Sequence, residues 1–280
     1  AGPPQNPAPC PPPRAPMLQV TEHGPVTRLH LARTAFGRAL YTVNAYEVDG
    51  LLIDTGCPGT ARQMLAWCRT RPIRQAVNTH HHEDHAGGNA LLQQTLHLPI
   101  AAPPDAVPIL AHFPRLQFYR RLVWGQPGNV TVEPLGDAVE TDRYRFEVIP
   151  TPGHSPDHVC FFEPRQGWLF SGDLFIHERV RYLRADEDMG ATLQSLREVL
   201  KRTPRTIFCA HAGMVENGSD AIRRKIAYLE KLAQEARALQ KQGLPAEEIS
   251  RRLLGPENYV SRLTGGHFSK TNLIRALLLV

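Results

Sequence analysis

The chain has little cysteine: five residues in 280 (Cys10, Cys57, Cys68, Cys160 and Cys209), odd in number and without a CxxC pair. A disulfide framework is therefore not expected, and a reducing, cytoplasmic setting is. No apolar run approaches the length that crosses a bilayer, so no membrane partner is expected. No repeat recurs at a fixed period, and the glycines of DTGCPGT lack P-loop spacing, so Gly56 and Gly59 read as turn residues. The first sixteen residues, AGPPQNPAPCPPPRAP, hold eight prolines and no apolar h-region, which excludes a signal peptide. Residues 1–16 are expected to be a disordered or extended leader outside the fold. It would be either foreign to a native chain starting at Met17 or a linker left by processing.

What is present is ordinary in bulk and unusual in one place. Apolar residues make up 42% and charged residues 21%, and the length suits one large domain, or one domain with an appendage. The net charge of +5 has a location: residues 219–280 carry eleven Lys and Arg against six Asp and Glu. That is either a solvated helical face or an attraction for an anionic substrate, and composition by itself favours the former.

Hydrophobic periodicity divides the chain into three parts. PVTRLHLAR and ALYTVNAYEV, a DG turn at Asp49–Gly50 and LLIDTG predict a hairpin-rich opening. PGTARQMLAWCRT predicts a helix, IRQAVNTH a strand, HAGGNALLQQTL a helix and LPIAAP a buried strand. Residues 103–130 are irregular and aromatic, like a lid or insertion. Strands follow at TVEPL, YRFEVIPTPG, HVCFFEP and GWLFSGD, then a helix at ATLQSLREVLKRT and a strand at RTIFCAHA. Helices are expected over Ser219–Gln242, Ala246–Leu254 and KTNLIRALLL, the last capped by Ser269. The order predicts an α/β fold, an αβ/βα sandwich over 17–218 with a helical C-terminal region over 219–280.

The unusual place is NTHHHEDHAGGN, where four histidines and two carboxylates fill six consecutive positions. A solvated charge run has no need of histidine, and a core does not tolerate unpaired carboxylates. Neutral nitrogens and negative oxygens together suit a metal ion. Past a strand end the chain is extended, so His80 and His82 point the same way and can reach one ion. Asp84 and His85 lie where the chain turns into a helix and can reach a second. Three further strand ends carry a ligand-type residue: His154 in TPGHSPDH, Asp173 in FSGD and His211 in FCAHAG. Alone, each reads as a loop histidine or a cap; together they predict one convergent edge. His81 and Glu83 alternate away from that face, Asp157 and His158 read as loop and strand-start residues, and Cys209 as a buried strand residue.

HHHEDH, GHS, SGD and AHAG, preceded by LIDTG, resemble in this order the motif set of the metallo-β-lactamase superfamily, as in glyoxalase II and related hydrolases. The match runs from about Val26 to Gly213. The resemblance implies a four-layer sandwich and two metal sites: His80, His82 and His154 for one ion, Asp84, His85 and His211 for the other, and Asp173 bridging. It also implies that Asp54 acts through hydrogen bonds to the ligands. Five imidazoles and two carboxylates suit two zinc ions, with iron or manganese accepted because no thiolate takes part. Two such ions can ionise a shared water, and the resulting hydroxide attacks an electrophilic carbon or phosphorus. Asp84 and Asp173 are the catalytic candidates.

A bridging aspartate, which the superfamily's true β-lactamases lack, makes antibiotic hydrolysis a weak reading and favours the glyoxalase-II-like branch. The expected function is hydrolysis of a small ester-like substrate, a thioester or a carboxylic ester or lactone. A phosphoesterase acting on an organophosphate or on RNA is the alternative, and a non-catalytic sensor is disfavoured by the complete ligand set. The chain departs from glyoxalase II after Asp173, where DLFIHERVRYL replaces a cysteine-glycine-arginine segment. Lactonase relatives place a tyrosine there; here Tyr182 comes later. Candidates for substrate contact are Phe113, Phe118, Tyr119 and Trp124 of the lid, Tyr182, and Arg223 of the basic tail. A homodimer is compatible with this reading.

Overall fold

The computed structural model describes residues 18–35 and 38–280; the proline-rich leader lies outside them. The first sheet runs in chain order: β1 (Leu18–His23), β2 (Val26–Ala35), β3 (Arg38–Val48), β4 (Leu51–Ile53), β5 (Gln75–Val77), β6 (Ile100–Ala102) and β7 (Glu133–Pro134). Its first four strands form an antiparallel meander, and β4 to β7 are parallel. The predicted DG turn joins β3 to β4, with φ of 54° at Asp49 and 82° at Gly50, the left-handed pair that a two-residue hairpin needs. Parallel pairing needs crossovers, supplied by α1 (Ala61–Cys68) between β4 and β5, and by α2 (Glu83–Ala86) and α3 (Asn89–Leu96) between β5 and β6.

The second sheet contains β8 (Ala138–Glu140), β9 (Arg145–Pro150), β10 (Val159–Glu163) and β11 (Trp168–Gly172). The short β12 (Leu183–Arg184) leaves it, and β13 (Thr206–Cys209) and β14 (Gly213–Glu216) complete it in the order β14-β13-β11-β10-β9-β8. Alternation along the strands builds the layers. Val48, Leu51, Ile53, Val77, Phe161, Phe170 and Phe208 point inward and pack sheet on sheet. Leu52, Ala76 and Val43 point the other way, against Met64 and Trp67 of α1 and Leu92 of α3. From the second sheet Cys160, Leu169, Ile207 and Cys209 face the outer helices. The result is the four-layer αβ/βα sandwich.

The segment 103–130, expected to be irregular, contains a 3-10 turn (Pro104–Ala106), α4 (Val107–Ala111) and α5 (Phe118–Val123). These helices are five and six residues long, too short for periodicity to reveal them. The outer helices of the second half are α6 (Met189–Leu200), α7 (Gly218–Lys241), α8 (Ala246–Leu254), α9 (Tyr259–Leu263) and, after β15 (Phe268–Ser269), α10 (Lys270–Leu278). Ser269 caps α10 by accepting from the Asn272 amide, as its sequence predicts. The chain after His211 is not wholly helical: β14 extends the second sheet and β15 pairs with β12. No described helix is long and apolar enough to cross a membrane.

Phe161 is fully buried between the sheets. Phe161→Ala is expected to cost about 3–5 kcal/mol in denaturant unfolding; a loss under about 1 kcal/mol would contradict this packing.

Candidate metal centre

Five strands of two sheets, β4, β5, β9, β11 and β13, end on one edge and deliver the charged residues there. β4 ends at Asp54, whose φ of 63° is unusual for a residue with a side chain and turns its carboxylate along the edge. Asp54 Oδ1 accepts the Thr79 amide at 2.8 Å, and Oδ2 accepts from the Thr79 hydroxyl at 2.9 Å and faces His85 Nδ1 at 2.7 Å. The Thr79 hydroxyl, its proton given to Asp54, accepts from His80 Nδ1 at 3.0 Å. These bonds place the ring protons of His80 and His85 on Nδ1 and leave each Nε2 lone pair facing inward. The loop then turns into α2 against residues 55–58, just before α1. A Cβ on Gly87 would sit 2.2 Å from Pro58 Cδ, so only glycine fits.

Asp173 is aimed from the opposite sheet by similar means. A bulge between Phe170 and Gly172 breaks the β11–β13 register just before it. Gly172 has a φ of 45°, and a Cβ there would meet His158 Nε2 at 2.7 Å. That nitrogen accepts the Asp173 amide at 3.1 Å. His158, expected to be a plain strand-start residue, thus fixes the backbone of Asp173. Burial first, then the charge of His154, pushes its pKa down to about 3, so it stays a neutral acceptor.

The donors converge in three overlapping groups whose ligand atoms lie within 4.8 Å of one another: His80, His82 and His154; His80, His85 and Asp173; and Asp84, His85 and His211. His80 Nε2 is 2.8 Å from His82 Nδ1, which is 3.0 Å from His154 Nε2. Asp173 stands between the groups, Oδ2 at 3.2 Å from His154 Nε2, and Oδ1 at 3.3 Å from His85 Nε2 and 3.1 Å from His211 Nε2.

The electrostatics fit cations. Burial, reinforced by neighbouring imidazoles, holds His80 and His82 well below the ordinary histidine range, so they present lone pairs. Burial would lower His85 too, but Asp54, Asp173 and Asp84 outweigh it and hold it well above that range: the three carboxylates favour positive charge at this ring, which a cation on Nε2 supplies in place of that nitrogen's proton. Burial would raise Asp173, yet the charges of His211, His85 and His154 keep it well below the ordinary carboxylate range. His85 Nε2 and Asp173 Oδ1, both buried and 3.3 Å apart, make no well-formed hydrogen bond, as suits two ligand atoms turned toward one cation. The donor set suits a pair of metal ions.

Several supporting residues gave no sequence signal. Glu187 Oε2 lies 3.2 Å from His154 Nδ1, and Tyr41 donates to Asp84 Oδ2 at 2.6 Å. Both are single residues far from the motifs, which only the fold brings in. Asp157 accepts from the His81 amide at 2.8 Å and bonds its ring at 2.9 Å. Glu83 is 1% exposed and forms a two-pronged ion pair with Arg120 of α5 at 2.7 and 2.5 Å.

A cavity of about 1020 Å³ opens over Asp84, His154, Asp173 and His211. Of the substrate-contact candidates, Trp124 and Tyr182 line it, and four do not. Phe113 packs on the first-sheet core, and Phe118 is 74% exposed to solvent. The Tyr119 hydroxyl is tied to His267 Nδ1 at 2.5 Å, and Arg223 pairs with Asp220 of its own helix at 2.7 Å. The aromatic spacing of the segment does not reveal which faces turn inward. Lys225, from the same basic run as Arg223, is buried and donates to the Leu174 and Phe175 carbonyls at 3.0 and 2.5 Å. It holds the segment after Asp173 in place.

The sequence profile of the metallo-beta-lactamase superfamily matches residues 39–211, a span that includes all seven donors. A hydroxyacylglutathione hydrolase of Legionella pneumophila (strain Paris) is 28% identical over 181 residues, 61% of this chain and 61% of that protein. The chain thus matches about three fifths of that relative's length. A beta-lactamase domain protein from Burkholderia ambifaria has the same fold, with a TM-score of 0.69 at 18% identity over 93% of this chain and 87% of that one. A protein crystallised in a di-iron-bound form is 28% identical, with a TM-score of 0.53 over 66% of this chain and 94% of that one.

Gently purified protein is expected to carry about two metal ions per chain by elemental analysis. Asp54→Ala, which frees the His85 ring and Thr79, is expected to weaken binding by ~10–100-fold. A folded chain holding fewer than about one ion would contradict the donor assignment.

Proposed function

We propose that this chain, which belongs to the metallo-beta-lactamase superfamily, is a metal-dependent hydrolase of an ester-like bond, with a thioester as first choice. The observation that carries the reading is the placement of Asp173 between two imidazole groups on the floor of the cavity. The hydroxyacylglutathione hydrolase relatives favour sulfur as the leaving atom. His80, His82 and His154 would hold one ion, and Asp84, His85 and His211 the other, with Asp173 shared. Zinc suits the five imidazoles, and iron or manganese is accepted by the same set. Bound there, such ions supply Lewis acidity that polarises a carbonyl and lowers the pKa of water.

The remaining work falls to this chain's own groups. Asp84 lies on the cavity wall and can take the proton released as water adds to the acyl carbon. Passing it to the departing sulfur gives a carboxylic acid and a thiol. Trp124, Leu174, Ile176 and Val180 offer apolar surface to the acyl portion. Asp54, Thr79 and Glu187 keep the imidazoles in one orientation through the reaction.

A phosphoester is the second reading. Arg179 and Arg181 line the cavity, are exposed, and have no ion-pair partner among the described residues. They can meet the oxygens of a phosphate, or an anionic group elsewhere on a thioester.

A panel of thioesters, lactones, aryl esters and phosphoesters, assayed with metal-loaded protein, separates these readings. Thioesters are expected to be turned over fastest; activity confined to phosphoesters would reverse the order. Asp173→Asn keeps the size of the side chain but removes its charge, and is expected to lower kcat by ~100-fold or more with the fold retained. Trp124→Ala is expected to raise KM for substrates with an apolar acyl group, and Arg223→Glu to leave kcat/KM unchanged.

A further inference from the structure

We infer that Tyr41 is a positioning residue for the second ion, its hydroxyl holding Asp84 so that the carboxylate faces the ion beside His85 and His211. The inference rests on the metal reading of the histidine and aspartate cluster. Tyr41 belongs to β3, remote in sequence from every donor. Its hydroxyl lies against two of the three side chains of one group, 2.6 Å from Asp84 Oδ2 and 3.3 Å from His211 Nε2. A phenol has one proton to give, and the short contact assigns it to the carboxylate, a charge-assisted bond. Asp84 Oδ2, which also lies 3.7 Å from His85 Nε2, keeps a second lone pair for a cation, and Oδ1 receives no hydrogen bond among the described residues. Among the described residues the bond from Tyr41 is the one hydrogen bond that the Asp84 carboxylate receives. The site's other carboxylate, Asp173, is steadied by three imidazoles at 3.1–3.3 Å, whereas Asp84 has, besides the Tyr41 bond, His85 Nε2 at the longer distance of 3.7 Å.

The ring itself is held. Trp124 meets it edge-on at 5.0 Å and 75°, and His211 at 5.7 Å and 72°. Tyr41 and Trp124 both line the cavity. The group of His80, His82 and His154 has no hydrogen bond to Tyr41 among the described residues. Loss of the hydroxyl should therefore act on one ion and spare the other. Partners that orient a metal ligand typically govern affinity by ~10–100-fold.

Tyr41→Phe removes the hydroxyl and keeps the ring. The metal-stripped full chain would be titrated with zinc by calorimetry, and with cobalt by its visible absorption. The wild type is expected to bind in two steps. In Tyr41→Phe one step is expected to move by ~10–100-fold while the other stays. With both sites saturated, kcat should fall and KM hold. Two unchanged steps would overturn the inference, as would two steps weakened alike, the mark of general loosening. An absorption band from phenolate to iron in the iron-loaded wild type, absent in Tyr41→Phe, would make Tyr41 a ligand and also overturn it. If Tyr41→Phe does not fold, Trp124→Ala frees the same ring, and the same selective shift is expected. A wild-type chain that binds no ion would instead refute the metal reading beneath it.

Discussion

One carboxylate, Asp173, sets the terms for the rest of the structure. It must lie between two groups of imidazoles without leaning to either, and it is largely buried, with only one side turned to the cavity. A buried anion without partners would cost several kcal/mol, and its neighbours at 3.1–3.3 Å are nitrogens that attract it. Each feature of its approach serves that position. The bulge in β11 turns the chain, Gly172 lets it pass against His158, and the His158 ring takes the amide proton. Phe170 of β11 stacks on its strand neighbour Phe208 of β13 at 4.9 Å, and Tyr46 of the first sheet meets both rings edge-on at 5.6 and 5.5 Å, so the strand bearing Asp173 is held from both sheets.

The histidines are held from behind. Asp54 touches no candidate metal position, yet it orders His85 directly and His80 through Thr79. The left-handed backbone at Asp54 is the strain that this arrangement carries. The segment over the cavity is anchored by three contacts made to different parts of the chain: Arg120 to Glu83 beside the histidines, Tyr119 to His267 in the C-terminal region, and Trp124 to Tyr41 on β3. The C-terminal helices therefore contribute to the site indirectly. Lys225 of α7 holds the chain at Leu174 and Phe175, Tyr228 of the same helix donates to the Val180 carbonyl, and β15 brings Phe268 to the cavity wall.

The sandwich was readable because strands buried on both faces give continuous apolar runs, as in LLI, VCFFE and TIFC. β8, β14 and the two-residue β12 and β15 were not readable. Their edge positions and short lengths leave too few residues for a pattern. The crowding of imidazole and carboxylate between His80 and His85 announced metal chemistry, because nothing else explains both residue types in one loop. The aromatics of 103–130 were poor guides to the cavity. Helix orientation, which a window of five or six residues does not express, decides that Trp124 turns inward and Phe118 outward.

By itself the sequence determined the layer order, the strand ends that carry donors, and the chemical character of those donors, since all three are local properties of residue type and spacing. Only the tertiary structure decided which donors meet, at what distances, and which residues steady them. Tyr41, Glu187, His158 and Arg120 come from four separate segments, and their roles exist only where two sheets and a crossing helix bring them within hydrogen-bond reach. A hydrogen bond is fixed to within a few tenths of an ångström, whereas sequence patterns fix only faces and order.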